Sequence, residues 1–185
     1  MDSVNLNNFI DNYILNFLQN NEEIIIFFTN TNIKTTNDEI YGYQKYVNDL
    51  HFKTICTYLL NNNYIKSTNT ILESRYEDKI KYHNSKINEN SFYQQTILDY
   101  KNIDNVIIYK QNLKVIEPTM FPNIVHYSKY EQIVFSNNII NIIFMKYNIN
   151  KLHDKWFYEI SLNNKNNEII DINEIKNIFF YLKNI

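Results

Sequence analysis

Ile71-Leu72-Glu73-Ser74-Arg75-Tyr76-Glu77-Asp78-Lys79-Ile80-Lys81-Tyr82 is the stretch on which the fold reading turns. From Glu73 to Lys81 every second residue is charged: Glu73, Arg75, Glu77, Lys79 and Lys81. Leu72, Tyr76, Ile80 and Tyr82 take the other parity, together with Ser74 and Asp78. A helix would scatter these charges around its circumference, whereas a strand sends alternate side chains to opposite faces. The stretch therefore predicts a strand that is wet on its charged side.

Toward the N-terminus, Leu6, Phe9, Ile10, Tyr13, Ile14, Phe17 and Leu18 recur at helical spacing and predict an amphipathic helix ended by Asn20-Asn21. Ile24 to Phe28 is a short β-branched and aromatic run, hence a buried strand. A second helix is expected over roughly Glu39 to Leu60, with Tyr43, Val47, Leu50, Ile55 and Leu59 inward and Asn61 to Asn63 breaking it.

Toward the C-terminus, Ser91 precedes an expected short helix, Phe92 to Tyr100, and Asn105 to Tyr109 reads as a buried strand. Pro118 and Pro122 enforce an extended connection. Ser128-Lys129-Tyr130-Glu131 has the form of a capping box, and predicts a helix running from Lys129 into the apolar run Ile139 to Met145. Trp156 to Leu162 alternates as a strand, Asn163-Asn164 make a turn, and Ile169 to Ile172 pair back. Asn173 then caps a last helix carrying Ile175, Ile178, Phe179 and Leu182. The fold class expected is α+β (mixed α/β).

Composition limits what such a chain can be. Its 185 residues are 44% apolar and include 16 Tyr and 12 Phe, which is ample for a core and unlike a disordered chain. There is no Ala, a single Gly (Gly42) and a single Arg (Arg75), a bias that points to an AT-rich genome. The formal net charge of −2 comes from scattered Lys, Asp and Glu with no basic face of the kind that grips nucleic acid. One cysteine, Cys56, excludes an internal disulfide and fits a reducing compartment. The N-terminus lacks a basic leader, and the apolar runs are too short to span a bilayer, so no membrane partner is expected.

Loops that wrap phosphate with backbone amides need glycine, so Gly42 alone excludes a P-loop, a dinucleotide fingerprint and a nucleophile elbow. His51, His83, His126 and His153 form no pair at ligand spacing, and Cys56 belongs to an apolar helical stripe. One constellation has the chemistry of a site: the face Glu73, Arg75, Glu77, Lys79, Lys81. Alternating carboxylates and cations along a strand suit a metal-dependent triphosphate tunnel, with Glu159 of the later strand as a partner carboxylate. The plainer reading is a solvated face with cross-strand ion pairs.

Met120-Phe121-Pro122-Asn123-Ile124-Val125-His126-Tyr127-Ser128-Lys129-Tyr130-Glu131 resembles a segment of the shared fifth subunit of eukaryotic RNA polymerases and of its poxvirus counterpart. Met120, Pro122, Val125, Ser128, Lys129 and Glu131 fall on that family's positions. Lys146-Tyr147-Asn148-Ile149 with Leu152, and Lys53-Thr54-Ile55 with Leu59, Leu60, Tyr64 and Ile65, are similar to further steps. Ile124 departs from the family's usual His, and no Pro follows Leu152.

The resemblance implies a non-catalytic subunit of a viral DNA-directed RNA polymerase, in the host cytoplasm and virion. It implies an N-terminal helix-rich jaw-like part, residues 1–104, and a C-terminal mixed-sheet assembly part, residues 105–185, or one continuous domain. Other polymerase subunits would be the partners, with DNA touched only indirectly and no cofactor, metal or catalytic residue. Pro122, Ser128 and Glu131 would serve the helix entry, and Trp156, Tyr158 and Ile160 a docking strand. Two other readings stand beside it: a freestanding binder or antitoxin from an AT-rich mobile element, and the metal-dependent triphosphate-tunnel phosphohydrolase.

Overall fold

The computed structural model describes residues 7, 8, 10–12, 14, 23–30, 44–76, 83–86, 89–103, 105–116, 124–147, 154–164, 169 and 171–185, with the backbone alone over 71–76, 83–86, 89–100, 102–103, 113–116 and 124–129. Nine described strands form one sheet: β1 (Glu23–Phe28), β2 (Tyr46–Asn48), β3 (Ile65–Tyr76), β4 (His83–Lys86), β5 (Glu89–Ile103), β6 (Val106–Ile116), β7 (Ile124–Asn137), β8 (Ile140–Tyr147) and β9 (Lys155–Asn163). Helices α1 (Asp49–Asn61) and α2 (Ile172–Lys183) accompany them, and the described residues 7, 8, 10–12 and 14 are helical as well. The class is α+β, and every described strand pair is antiparallel.

The strand order β1-β6-β5-β4-β3-β7-β8-β9-β2 carries one further pairing, β1 with β9. That pairing closes eight strands into a ring. The ring is thinnest at the short β4, which meets β3 at Ile71–Lys86 and β5 over Glu89 to Gln94. The short β2 continues the wall past the end of β1, because β9 pairs with β1 over Glu159 to Asn163 and with β2 over Lys155 to Phe157. Tyr158 falls in the gap between the two, and its carbonyl accepts instead from the Gln44 side-chain amide at 2.8 Å.

Inside and outside follow from the packing. Ile24, Ile26 and Phe28 of β1, Ile140, Ile142 and Phe144 of β8, and Trp156, Tyr158, Ile160 and Leu162 of β9 join one core. Phe52, Ile55 and Leu59 of α1 and Ile175, Ile178, Phe179 and Leu182 of α2 complete it. An eight-stranded barrel has room for side chains or a small ligand within, and not for two helices. The even-numbered face of β9 is therefore the outer one. Phe52 stacks on Trp156 at 4.0 Å between ring centroids and meets Phe144 edge-on. Tyr158 donates its hydroxyl to the Leu182 carbonyl at 3.1 Å.

Caps and turns are supplied largely by Asn and Asp, which tolerate the left-handed region in a chain with almost no glycine. Asn48 caps α1 by accepting from the His51 amide, and Asn63 closes it at φ 64. Asn138, at φ 46, opens the two-residue turn between β7 and β8. Asp171, rather than Asn173, caps α2 by accepting from the Asn173 and Glu174 amides.

Several expectations are corrected. Ser128 to Glu131 is strand, not a helix cap: Ser128 pairs with Glu73, and Glu131 with Thr70 and Lys146, so their backbone groups serve the sheet. The expected helix from Lys129 is the β7–β8 hairpin. Phe92 to Tyr100 lies within β5. The helix expected from Glu39 begins at Asp49, and Leu50, expected inward, is 72% exposed. Ile169 is exposed and outside any strand, so no Ile169 to Ile172 strand returns, and Ile172 opens α2. The C-terminal sheet expected as mixed is antiparallel. Strands from both sides of residue 104 pair in the one ring, with β1 between β6 and β9. Ile10 and Ile14 are helical and buried, as their spacing requires. Pro122, and Leu6, Phe9, Tyr13, Phe17 and Leu18, lie outside the described residues.

Candidate functional site: the barrel interior

The inner face follows from the register. Directly paired residues share a face, so Glu159 of β9 lies with Ile143 of β8, Val134 of β7 and Ser67 of β3. The β3–β7 register then runs without a shift through Asn69, Ile71, Glu73 and Arg75. Glu73 and Arg75 therefore take inward positions, as does Lys86, which pairs with Ile71. Of the charged parity, Glu73 and Arg75 thus stand on the inside of the ring, where the tunnel reading expected charge and the plainer reading expected a solvated face with cross-strand ion pairs. Glu77, Lys79 and Lys81 lie outside the described residues.

On the opposite wall the inner face of β9 reads Lys155, Phe157, Glu159, Ser161 and Asn163. Glu23 of β1 pairs with Asn163 on one side and with Gln111 of β6 on the other. Gln111 Nε2 donates to one oxygen of the Glu23 carboxylate at 2.7 Å, and the Ser161 hydroxyl donates to the other. Glu23 is thus held as a fixed, half-buried carboxylate. Beside it, the buried Oδ1 of Asn163 has no hydrogen-bond partner. A buried acceptor without a donor costs about 1–3 kcal/mol, so this oxygen suits a ligand that supplies positive charge.

Apolar clusters share the described interior. Ile25, Phe27, Ile107 and Tyr109 pack together, with Phe27 and Tyr109 edge-on at 6.0 Å. Tyr130 and Met145 form a second cluster with Ile143, Tyr147 and Phe157 against it. Carboxylates enclosed by such walls act in a low-dielectric space, where their attraction for a cation is far stronger than in water. Among the described residues no three His, Cys, Asp or Glu side chains stand close enough to hold a metal ion. Inward carboxylates nonetheless stand on two strands, Glu23 on β1 and Glu159 on β9, and Glu73 of β3 takes an inward register position. Hard oxygen donors of this kind, with the unpaired Asn163 oxygen, fit a divalent cation such as Mg²⁺ or Mn²⁺.

Of the residues singled out from sequence, Glu73, Arg75 and Glu159 share the inner face. Ser128 takes the inward position opposite Glu73, whereas Glu131 is on the outer face and exposed. Trp156, Tyr158 and Ile160 are buried beneath the chain's own helices. Cys56 is half-buried in α1, and burial raises its thiol pKa. Glu23, Ser161 and Asn163 were not singled out. Their signal was a carboxylate opening the buried run Ile24 to Phe28, and a period of two that runs from Glu159 through Ser161 to Asn163.

No family model and no curated protein matches the chain. Solved structures do. The RNA triphosphatase Pct1 of S. pombe superposes with a TM-score of 0.53 at 10% identity, over 88% of this chain and 78% of that one. The structure of S. pombe Pct1 in complex with the Spt5 CTD gives 0.54 at 10% identity, over 94% and 83%. The likeness is one of fold. It overturns the resemblance to the fifth polymerase subunit, and with it the expected polymerase and virion setting. The segment that carried that resemblance, Met120 to Glu131, is strand from Ile124 onward, where a capped helix was required.

Proposed function

We propose that the chain is a phosphohydrolase that removes the terminal phosphate of a triphosphate bound inside the barrel, with 5′-triphosphate RNA as substrate. The observation that carries this is the closed ring with Glu73, Arg75 and Glu159 at inward positions on opposite walls. Its likeness in fold to an RNA triphosphatase supports the same reading.

In this reading Glu159 and Glu73 are the groups that would hold a divalent cation, and Glu23 with the Asn163 oxygen, four residues further along β9, would form a separate acidic subsite. When bound, that cation neutralises phosphate charge and polarises the phosphorus–oxygen bond. The chain's own residues do the rest. Arg75 and Lys86 supply cations for phosphate oxygens, Arg75 as a bidentate fork and Lys86 as a point charge. Glu23 is fixed by Gln111 and Ser161, so it needs no reorganisation on binding. Water attacks the terminal phosphorus and the bond to the bridging oxygen breaks, leaving orthophosphate and a 5′-diphosphate RNA.

The test is orthophosphate release from 5′-triphosphate RNA and from ATP with Mn²⁺ present. The wild type is expected to release phosphate, and Glu73→Ala and Glu159→Gln to lose release by about a hundredfold or more, the scale of removing one electrostatic group from an active site. Release unaffected by both substitutions contradicts the assignment.

A further inference from the structure

We infer that the barrel mouth beside β2 stacks the base of the nucleotide whose triphosphate reaches the acidic interior. Stacking there rests on the triphosphatase reading and engages a part of the substrate that the phosphate site does not touch. Along the inner face of β9, Glu159 is followed toward the strand's start by Phe157 and then Lys155, a step of about 7 Å between alternate residues. Acid chemistry thus gives way to an aromatic ring and then a cation within two steps.

Tyr46 of β2 pairs with Phe157, their rings tilted at 5.7 Å, and Tyr147 meets Phe157 edge-on at 5.7 Å. Lys155 Nζ lies 4.4 Å from the Tyr46 ring centroid. Neighbouring side chains in the same rows are closed off: Tyr130 is 8% exposed and Met145 6%. Tyr46 is 41% exposed, an aromatic surface at the rim with the Lys155 cation over its ring. Filling the barrel explains the buried cluster and leaves the exposed ring unexplained. A base offers a flat π-face to Tyr46 whatever its identity, and Lys155 supplies charge for a backbone phosphate. A lipid chain or an acidic peptide would use only one of these two features.

Two measurements test this on the full chain. One is fluorescence anisotropy of labelled 5′-triphosphate RNA. The other is KM for ATP against KM for inorganic tripolyphosphate, which has no base. Tyr46→Ala is expected to weaken RNA binding about tenfold, and to raise the ratio of the two KM values by about the same factor, as loss of one stacked base requires. Tyr46→Phe is expected to retain both, and thermal melting checks that Tyr46→Ala is folded. RNA affinity and KM ratio unchanged in Tyr46→Ala overturn the inference, as does an equal rise in KM for tripolyphosphate. Should the wild type bind RNA through Tyr46 but release no phosphate, the stacking site stands and the triphosphatase reading falls. Phosphate release with RNA binding indifferent to Tyr46 leaves the triphosphatase standing and removes the stacking site.

Discussion

Neighbouring residues of β9 should respond oppositely to substitution, because one faces the helices and the next faces the interior. Ile160 is fully buried in the core shared with α1 and α2. Ile160→Ala deletes three carbons at about 0.8 kcal/mol each. The cavity left between a closed sheet and two helices relaxes only partly, which adds a further term, so the loss is about 3–4 kcal/mol. For a chain of this size that lowers Tm by roughly 10 °C. Glu159→Gln keeps shape and volume on the inner face, and its stability should stay within about 1 kcal/mol of wild type. Phosphate release should show the opposite order, intact in a folded Ile160→Ala and lost in Glu159→Gln. Urea unfolding of both variants, alongside the release assay, reads all four outcomes. A neutral Ile160→Ala beside a strongly destabilised Glu159→Gln means that the two faces have been assigned the wrong way round.

Other substitutions probe single devices of the fold. Asn138→Gly should stabilise by about 0.5–1 kcal/mol, since φ 46 suits glycine, and Asn138→Val should destabilise by more, both read from urea midpoints. Tyr158→Phe removes the donor to the Leu182 carbonyl and should cost about 1–2 kcal/mol while leaving phosphate release intact. Asp49 anchors the start of α1 to β8 and β9 through Lys146 and the Trp156 indole, and these hydrogen bonds lower its pKa below the ordinary 3.8. A lowered folded pKa gives stability that is present above the unfolded value and lost as pH falls through the folded one. Asp49→Asn should therefore flatten the fall in urea midpoint below about pH 3.8.

The sequence shows the parts of this barrel more readily than its closure. Wherever one face was polar and the other apolar, as over Leu72 to Tyr76 and Trp156 to Leu162, period two was plain and the strand was found. Where both faces are apolar the signal fades. Ile140, Ile142 and Phe144 pack under the helices, while Ile143 and Met145 pack inside, so Ile139 to Met145 is apolar at every position but Asn141 and shows no clear period. With Ser128-Lys129-Tyr130-Glu131 in front of it, that run looked like a capped helix. The β-branched Ile133 and Val134 were the contrary signal, but local propensity is weak against tertiary pairing. The pairing of β1 with β9 joins residues more than a hundred positions apart, and no local pattern encodes it.

The site was legible in part for a related reason. Glu73, Arg75 and Glu159 stood out because charge on an apolar-backed strand is conspicuous. Their joint use was legible as one alternative, a triphosphate tunnel with Glu159 as partner carboxylate, but the ring that brings the strands together was not readable. Glycine is required by loops that hold phosphate with backbone amides. A barrel interior uses side chains projected from strands, which need no left-handed backbone, so one glycine in 185 residues excludes nothing there.

Whether the barrel is a triphosphatase is tested most directly by manganese-dependent orthophosphate release from 5′-triphosphate RNA. The proteins to compare are the purified chain and its Glu159→Gln variant, which keeps the shape of the interior. Release by the wild type, and its loss in a variant that melts at the same temperature, is the predicted result. Equal release by both proteins, or none by a folded wild type, contradicts it.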